Sequence, residues 1–467
     1  MGAHGQLSHA GIAKEVIWGT PVGATDYLKI VSETLSKSIE ELISTAQNAR
    51  RDEPVSYEGG NTVAGDIVTE VHPAALSYFM RSWNGAPITT NNTGSYTHVF
   101  TPQSKIRLYD SIATAGDATT LTDGTQAWTI DEHIGRWVHI YAGPGAGDWR
   151  IITDNTETTI TVAAWSATPT TVSRYEIRTG PENCVLPPYT FEIHRDLAGA
   201  TPAFQYNGCV ANTLAFSYGV GDKILKLTAS LIGKGFTLLA DTTPTMPDTE
   251  PFRWNQSVIA LGSAVTGVAT AGSTTTLTDT GAFTANAHIG DLCWIKTGTG
   301  KDQIVKIKSN TADILTFEDT LITAPAVDDT FEVFSASNKI ETLSMTLENG
   351  LIPIPLLNNS KDIGRIDADA YRVGTLSPTM IVDDTTEWAY YDGWTTKEML
   401  LYFRGAAITG DHDYWFAFYF PRVRFTAYPI NVAGPGRIVV GATMKIKYDS
   451  TAKYPFKLFL SNNTLAP

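Results

Sequence analysis

Between residues 62 and 71 the chain alternates in polarity. Val63, Gly65, Ile67, Thr69 and Val71 mark one face of a strand, and Ala64, Asp66, Val68 and Glu70 mark a wetter one. His72-Pro73 ends that strand and opens a helix, because proline is tolerated at the first helical position. Leu76, Phe79, Met80 and Trp83 then fall at i, i+3, i+4 and i+7, an apolar stripe suited to lie on a sheet, and Gly85 sits where the helix should stop. A related order is predicted late in the chain. Residues 374–382 read as a strand, Asp383-Asp384-Thr385-Thr386 as a turn, and 397–403 as a short helix with Met399, Leu400 and Phe403 inward and Gly405 closing it. Each series ends in antiparallel strands, 189–194 with 223–232 in the first and 414–420 with 437–446 in the second. Residues 44–61 show no periodicity and several breakers, which predicts an exposed loop.

Two internal repeats organise these elements. Ala-Thr-Ala-Gly-Asp-Ala-Thr-Thr-Leu-Thr-Asp begins at Ala113 and Ala-Thr-Ala-Gly-Ser-Thr-Thr-Thr-Leu-Thr-Asp at Ala269, an offset of 156 residues. His133-Ile134-Gly135 then matches His288-Ile289-Gly290, and Tyr175-Glu176-Ile177 matches Phe331-Glu332-Val333. This is a small module present twice. Separately, Glu33-Thr34-Leu35-Ser36 matches Glu341-Thr342-Leu343-Ser344 at an offset of 308 residues. The chain therefore reads as two related larger units, each accompanied by one module. The predicted divisions are 1–104 and 179–257 for the first unit, 337–467 with a strand near 251–260 for the second, and 105–178 and 258–336 for the modules. The modules' Thr-rich strands and Gly turns suggest small barrels or sandwiches, seated in hairpin tips after Tyr96–Phe100 and after Ser257–Ala260. The fold class is mainly β: two tandem β-sandwich units, each with a short packing helix, and two inserted β modules.

A chain of 467 residues exceeds one core. The net charge of −14 argues against a surface that grips nucleic acid through phosphates, though an acidic wall would let DNA slide past. Cys184, Cys209 and Cys293 lack paired spacing, so buried free thiols are predicted rather than disulfides or zinc. The N-terminal residues lack a signal-peptide pattern and no apolar run reaches spanning length, which predicts folding in a reducing cytoplasm without membrane insertion.

Candidate chemistry is sparse. Gly143-Pro144-Gly145-Ala146-Gly147 and Gly298-Thr299-Gly300-Lys301 resemble phosphate-cradling loops only superficially. Asp302 stands where a P-loop needs Ser or Thr, and hairpin turns are predicted instead. Asp411-His412-Asp413, Asp383-Asp384 and Asp328-Asp329 read as turns at strand ends rather than metal or acid–base sites. His133 and His288 recur at matching positions, which predicts a structural role in the module. No catalytic residue, metal site or cofactor is assigned, and the chain is not read as an enzyme. The Thr-rich modules and aromatics expected to be exposed, such as Trp149 and Trp165, leave open a virion surface protein that binds a host receptor or carbohydrate.

The larger units resemble the major tail tube proteins of long, flexible-tailed bacteriophages. The residues that carry this are Gly11-Ile12-Ala13-Lys14-Glu15 to Trp18-Gly19-Thr20, Ser32-Glu33-Thr34-Leu35-Ser36 and Gly65-Asp66-Ile67-Val68-Thr69-Glu70 with its helix. Leu186-Pro187-Pro188-Tyr189-Thr190-Phe191-Glu192 and Ile340-Glu341-Thr342-Leu343-Ser344-Met345-Thr346-Leu347-Glu348-Asn349 complete the set. The modules are similar to a Thr- and Gly-rich insert of phage virion proteins. The resemblance implies rings whose inner strands join between subunits around a lumen, stacked into a tube for genome passage, assembled in the host cytoplasm and carried in the virion. It also implies a tape measure protein and a tail terminator as partners, with DNA passing unbound. Relatives place six single-unit subunits in a ring, so two units per chain imply a homotrimeric, pseudo-hexameric one. Arg50, Arg51, Asp52 and Glu53 are the candidate inter-ring contacts, Asp66 and Glu70 the candidate lumen-facing acids, and the modules are expected to decorate the outside.

Overall fold

The computed structural model describes residues 4–46, 51–197, 203–219, 224–240, 242–409, 412–432 and 434–465. The chain opens with β1 (His9–Lys14), β2 (Asp26–Leu28), β3 (Ile30–Glu33), β4 (Ser36–Ile43) and the long β5 (Ser56–Glu70). α1 (Pro73–Asn84) follows, then β6 (Ile88–Asn91) and β7 (Tyr96–Phe100). The first insert holds β8 (Arg107–Ile112), β9 (Ala115–Gly116), β10 (Thr120–Thr122), β11 (Trp137–Ala142), β12 (Trp149–Asn155), β13 (Thr159–Val162) and β14 (Arg174–Arg178). The chain resumes with β15 (Tyr189–His194), β16 (Ala203–Gly219), β17 (Lys226–Gly233) and β18 (Gly235–Leu239). β19 (Ser257–Val268) leads into the second insert, with β20 (Ala271–Gly272), β21 (Thr276–Thr278), β22 (Leu292–Ile295), β23 (Gln303–Asn310), β24 (Ile314–Phe317) and β25 (Thr330–Ala336). Then come β26 (Ile340–Glu348), β27 (Leu351–Ile354), β28 (Arg365–Ala368), β29 (Val373–Ile381) and α2 (Thr386–Asp392). β30 (Thr396–Thr409), β31 (His412–Ala427), β32 (Val439–Gly441), β33 (Thr443–Ile446) and β34 (Lys457–Asn462) end it.

Two ladders run in the same order. In the first half β4 pairs with β5, β5 with β17, β17 with β16 and β16 with β15. In the second, β26 pairs with β29, β29 with β33, β33 with β31 and β31 with β30. They are stitched into one sheet because β16 also pairs with β26, from Thr213↔Glu348 to Gly219↔Thr342. The period of two along these strands sends Ile67, Leu227, Leu214, Phe216, Met345, Leu376 and Met444 into a shared core, against the Leu76, Phe79, Met80 and Trp83 stripe of α1. α1 forms where the periodicity predicts. Pro73 sits in its first turn, and Gly85, at φ 101°, donates its N–H to the carbonyl of Arg81 at 2.8 Å.

The same alternation fails as a guide around 397–403, which is the strand β30 rather than a helix. Met399, Leu401 and Phe403 enter the main core, while Leu400 and Tyr402 enter a second cluster with Trp294 and Phe334. A strand buried on both faces is a continuous apolar run, which periodicity cannot tell from a helix. The helix of this half is α2, between the strand β29 and β30, and Gly405 lies at an irregularity inside β30. The strand predicted over 437–446 is divided into β32 and β33. The loop predicted for 44–61 is shorter, because β5 begins at Ser56 and pairs back to Ile43.

The first insert is not seated in a hairpin of β7 with β15, nor the second in one of β19 with β26; the ends of the second meet instead within β19 and β25, at Ala260↔Ala336. β7 pairs with β34 from the end of the chain, Leu458↔Phe100 to Asn462↔Tyr96, and β19 pairs with β30. Adjacency in sequence did not select these partners; the open edges of β34 and β30 did. Nor are the inserts closed barrels. The first is a folded sheet in the order β8-β14-β11-β12-β13-β10-β9, and the second repeats it as β19-β25-β22-β23-β24-β21-β20. The end strands β9 and β20 are two residues long, too short to pair across and close the sheet.

Candidate assembly surfaces

The sheet that joins the two ladders has a polar face opposite the core. Hydroxyls dominate it and meet across strands: Ser217 opposes Ser344, Ser344 opposes Ser377, and Thr346 opposes Thr375. Thr342 donates its hydroxyl to Thr379 Oγ1 at 2.8 Å. Asp66 and Glu70 both lie on this face, opposite Ser230 and Lys226 respectively. They share it with the acid Glu348 and with the bases Lys226, Lys445 and Arg424, of which Lys445 donates to Thr375 Oγ1 at 2.7 Å. The face is hydroxyl-rich with charges of both signs.

Both ends of that sheet are open. Among the described residues, β3 and β4 pair with β5 alone, and β4 is exposed along its whole length. At the far end β30 begins opposite Arg424, so Phe425 and Ala427 have a ladder partner only on the β33 side. An unpaired edge is a row of free backbone donors and acceptors, which is a template for another chain. Beside the first edge, the β4–β5 hairpin exposes Ile39, Leu42, Ile43, Val55 and Tyr57. Scattered exposed apolar side chains need no explanation, but five on one hairpin, Leu42 directly opposite Tyr57, make it a candidate interaction surface. Arg51, Asp52 and Glu53 are exposed at its tip, and Arg50 lies outside the described residues. The second half steadies the hairpin, because Asn61 donates its N–H to the Lys361 carbonyl at 2.7 Å and its side-chain amide to Asp362 at 3.1 Å.

A sheet with two open edges and a projecting apolar hairpin is the anatomy of a subunit that polymerises. The model of a family described as phage tail tube protein matches residues 5–287. The chain belongs to that family. A search of curated proteins returned no match. As a phage tail tube protein it is a structural component of the virion tail, and the family implies self-assembly into a tube. The match takes in the first ladder and the first insert and ends between β21 and β22.

In this tail tube protein the groups with a chemical look have structural partners. The Gly298-Thr299-Gly300 turn does cradle a carboxylate, that of Asp329, which accepts the N–H groups of Thr299 and Gly300 at 3.1 Å each. Gly298, at φ 84°, lies so close to Asp329 that a Cβ there would collide with the carboxylate. The backbone N–H of His133 donates to Asn155 Oδ1 at 2.7 Å and that of His288 to Asn310 Oδ1 at 3.0 Å. Each asparagine returns its amide to two carbonyls, Thr129 and Thr156 in the first insert and Thr284 and Thr311 in the second. The histidines are turn pins, present in both inserts. Burial pushes the Cys184 thiol up to about 12, and the other two cysteines are buried as well. Asp384 pairs with Lys339 at 3.0 Å, and Asp413 with Arg404 at 2.9 Å; Asp411 lies outside the described residues. Among the described residues no group of three or more His, Cys, Asp or Glu side chains is gathered to hold a metal ion. Periodicity gave no sign of the β16–β26 ladder or of Asn349, which ties β26 to α1; the Glu-Thr-Leu-Ser repeat and the family resemblance over Ile340 to Asn349 pointed to the region but not to its partners.

Proposed function

We propose that three copies of this chain close a pseudo-hexameric ring, and that stacked rings form the tube of a long, flexible-tailed phage through which the genome passes. The observation that carries this is the β16–β26 ladder. It is a joint between two similarly ordered ladders inside one chain, and the free end of β31 and the free edge of β3 and β4 are the parts needed to repeat it between chains. A head-to-tail contact of this kind closes a ring when its rotation permits. The equal pairing order of the ladders, and the Glu33 and Glu341 repeat, support reading the chain as two tube units. In the ring the hydroxyl-rich face, with Asp66 and Glu70 on it, lines the lumen, where the bases are too few to hold phosphates tightly. The β4–β5 hairpin, with its tip residues, reaches the next ring. Tape measure protein and tail terminator are the partners such a tube requires.

Negative-stain microscopy of the purified chain tests the proposal: tubes or rings of threefold symmetry are expected. A monomer at every concentration and salt condition, or rings of six whole chains, overturns it.

A further inference from the structure

The two inserts have the same strand order, yet they use one face of the sheet in opposite ways. Register equates Trp137, His139, Trp149 and Arg178 of the first with Leu292, Trp294, Ile304 and Phe334 of the second. Trp137 opposes Arg178 as Leu292 opposes Phe334, and His139 opposes Glu176 and Trp149 as Trp294 opposes Glu332 and Ile304. In the second insert this face is apolar apart from Glu332 and its partner Lys296, and it is buried on the scaffold, against Leu400, Tyr402, Trp415, Tyr419 and Phe459. Trp294 sits 4.6 Å from Tyr419 and 5.6 Å from Phe459, ring centre to ring centre. In the first insert Trp137 alone of these four is seen to bond the scaffold, its indole N–H donating to the Val16 carbonyl at 3.2 Å. The rest of the face carries aromatic and charged side chains: His139 stacks on Trp149 at 4.2 Å, and Glu176 is met by Arg107, His139 and Arg178.

Beside that ladder lies an open basin of about 540 Å³, lined by Asp110, Ile112, Thr114, Thr125, Tyr141 and Arg174. Tyr141 is 38% exposed and donates its hydroxyl to Asp110 Oδ1 at 2.6 Å. Arg107 holds the other carboxylate oxygen at 2.7 Å, so Asp110 is fixed in orientation. With Tyr141 and Arg107 bonded to it, its carboxyl sits below the ordinary value.

We propose that this face of the first insert is a glycan-binding site, taking one or two sugar residues of a surface polysaccharide into the basin between Tyr141, Asp110 and Arg174. A sugar ring presents apolar C–H faces and neighbouring hydroxyls that each need a donor and an acceptor. The basin offers an exposed aromatic ring, a pre-oriented carboxylate, a guanidinium and threonine hydroxyls in that arrangement. A protein partner is a poorer fit, because protein interfaces centre on a dry apolar patch and here the second insert has that patch and has already covered it. Nucleic acid is a poorer fit because Asp110 and Glu176 stand among the arginines. The proposal does not rest on ring closure.

The test is calorimetric titration of the full chain with chitotriose, maltotriose and trigalacturonic acid, two neutral probes and one acidic, with microscopy of the same samples reporting assembly separately. At least one probe is expected to bind. Tyr141→Ala and Asp110→Asn are expected to weaken that binding about tenfold or more, and Lys296→Ala, at the position of the second insert equivalent to Tyr141, to leave it unchanged. Tyr141→Phe, which keeps the ring, is expected to retain more affinity than Tyr141→Ala while melting like the parent. Absence of binding by all three probes, or binding that Tyr141→Ala and Asp110→Asn leave intact, overturns the site whether or not tubes form.

Discussion

The side-chain amide of Asn349 donates to the backbone carbonyl of Trp83 at 2.8 Å, joining the end of β26 to the last turn of α1 across 266 residues of chain. Its oxygen accepts from Arg372 Nε at 2.8 Å, and the same guanidinium reaches the Gln103 carbonyl at 2.9 Å and lies over the Trp83 ring. One buried amide thus satisfies a helix-end carbonyl and holds the arginine that braces the linker to the first insert. Removing it leaves buried polar groups without partners, so Asn349→Ala is expected to lower stability by about 1–3 kcal/mol. A urea midpoint equal to that of the parent would count against the linkage.

Glu398 on β30 and Glu332 on β25 share the contact between the second insert and the sheet. Burial, and then the hydrogen bond and charge of Glu332, push Glu398 up to about 7 from its ordinary 4.5. Burial also raises Glu332, but hydrogen bonds with Glu398 and Lys296 outweigh it and hold that carboxyl below its ordinary value. Lys296 Nζ lies 2.8 Å from Glu332, Tyr419 donates to Glu398 at 3.0 Å, and Ser263 and Tyr454 complete the surroundings. The pair holds one proton between two carboxylates. Because the folded value for Glu398 is above the unfolded one, its contribution to stability is present below about pH 4.5 and is lost as pH rises through about 7. The denaturant midpoint is expected to fall across that window, and Glu398→Gln to flatten the fall. Identical pH profiles for parent and variant would refute the shared proton.

The asparagine pins of the inserts make a matched pair of sites. Asn155→Ala and Asn310→Ala each remove three hydrogen bonds from one turn, and each is expected to cost its own insert about 1–3 kcal/mol while leaving the other unchanged. Hydrogen exchange resolved by peptide checks this: faster exchange confined to the mutated insert is expected.

The hairpin prediction separates folding from assembly. Leu42→Glu with Tyr57→Glu places charges on an exposed strand pair and removes no core contact, so the melting temperature should hold while tubes are lost. Replacing residues 44–55 with a short Gly-Ser turn is expected to do the same. Tubes of normal length from either variant would reject the hairpin as the inter-ring contact.

α1 was legible because its large apolar residues Leu76, Phe79, Met80 and Trp83 fall on one stripe, while the rest of the helix, though buried as well, is filled largely by small or polar residues such as Ala75, Ser77, Arg81 and Ser82, so the 3.6 period survives in the residues. β30 was not, because Leu400 and Leu401 answer to different cores on opposite faces of one strand and erase the period of two. The 308-residue offset itself carries α1 onto 381–392, which contains α2, so the repeat held the helix that local pattern misplaced. Of the candidate surfaces, polarity placed Asp66 and Glu70 on the wetter face of their strand and 44–61 in solvent, since a solvated face needs polar residues; the roles expected of them came from the family resemblance. The open edges were not legible, since an edge is defined by which ladder is absent.

The order of residues alone settled the β class and the α1 helix and pointed to a module present twice, because a stripe of large apolar residues, or the alternation of a strand covered on one face, writes a period into the chain. Tertiary structure decided that β7 joins β34, that β16 joins β26, and that the second insert packs its Trp294 face on β30, β31 and β34. Those outcomes depend on which edges and faces meet across hundreds of residues, and backbone donors and acceptors are the same at every position. Neither hydropathy nor spacing records them.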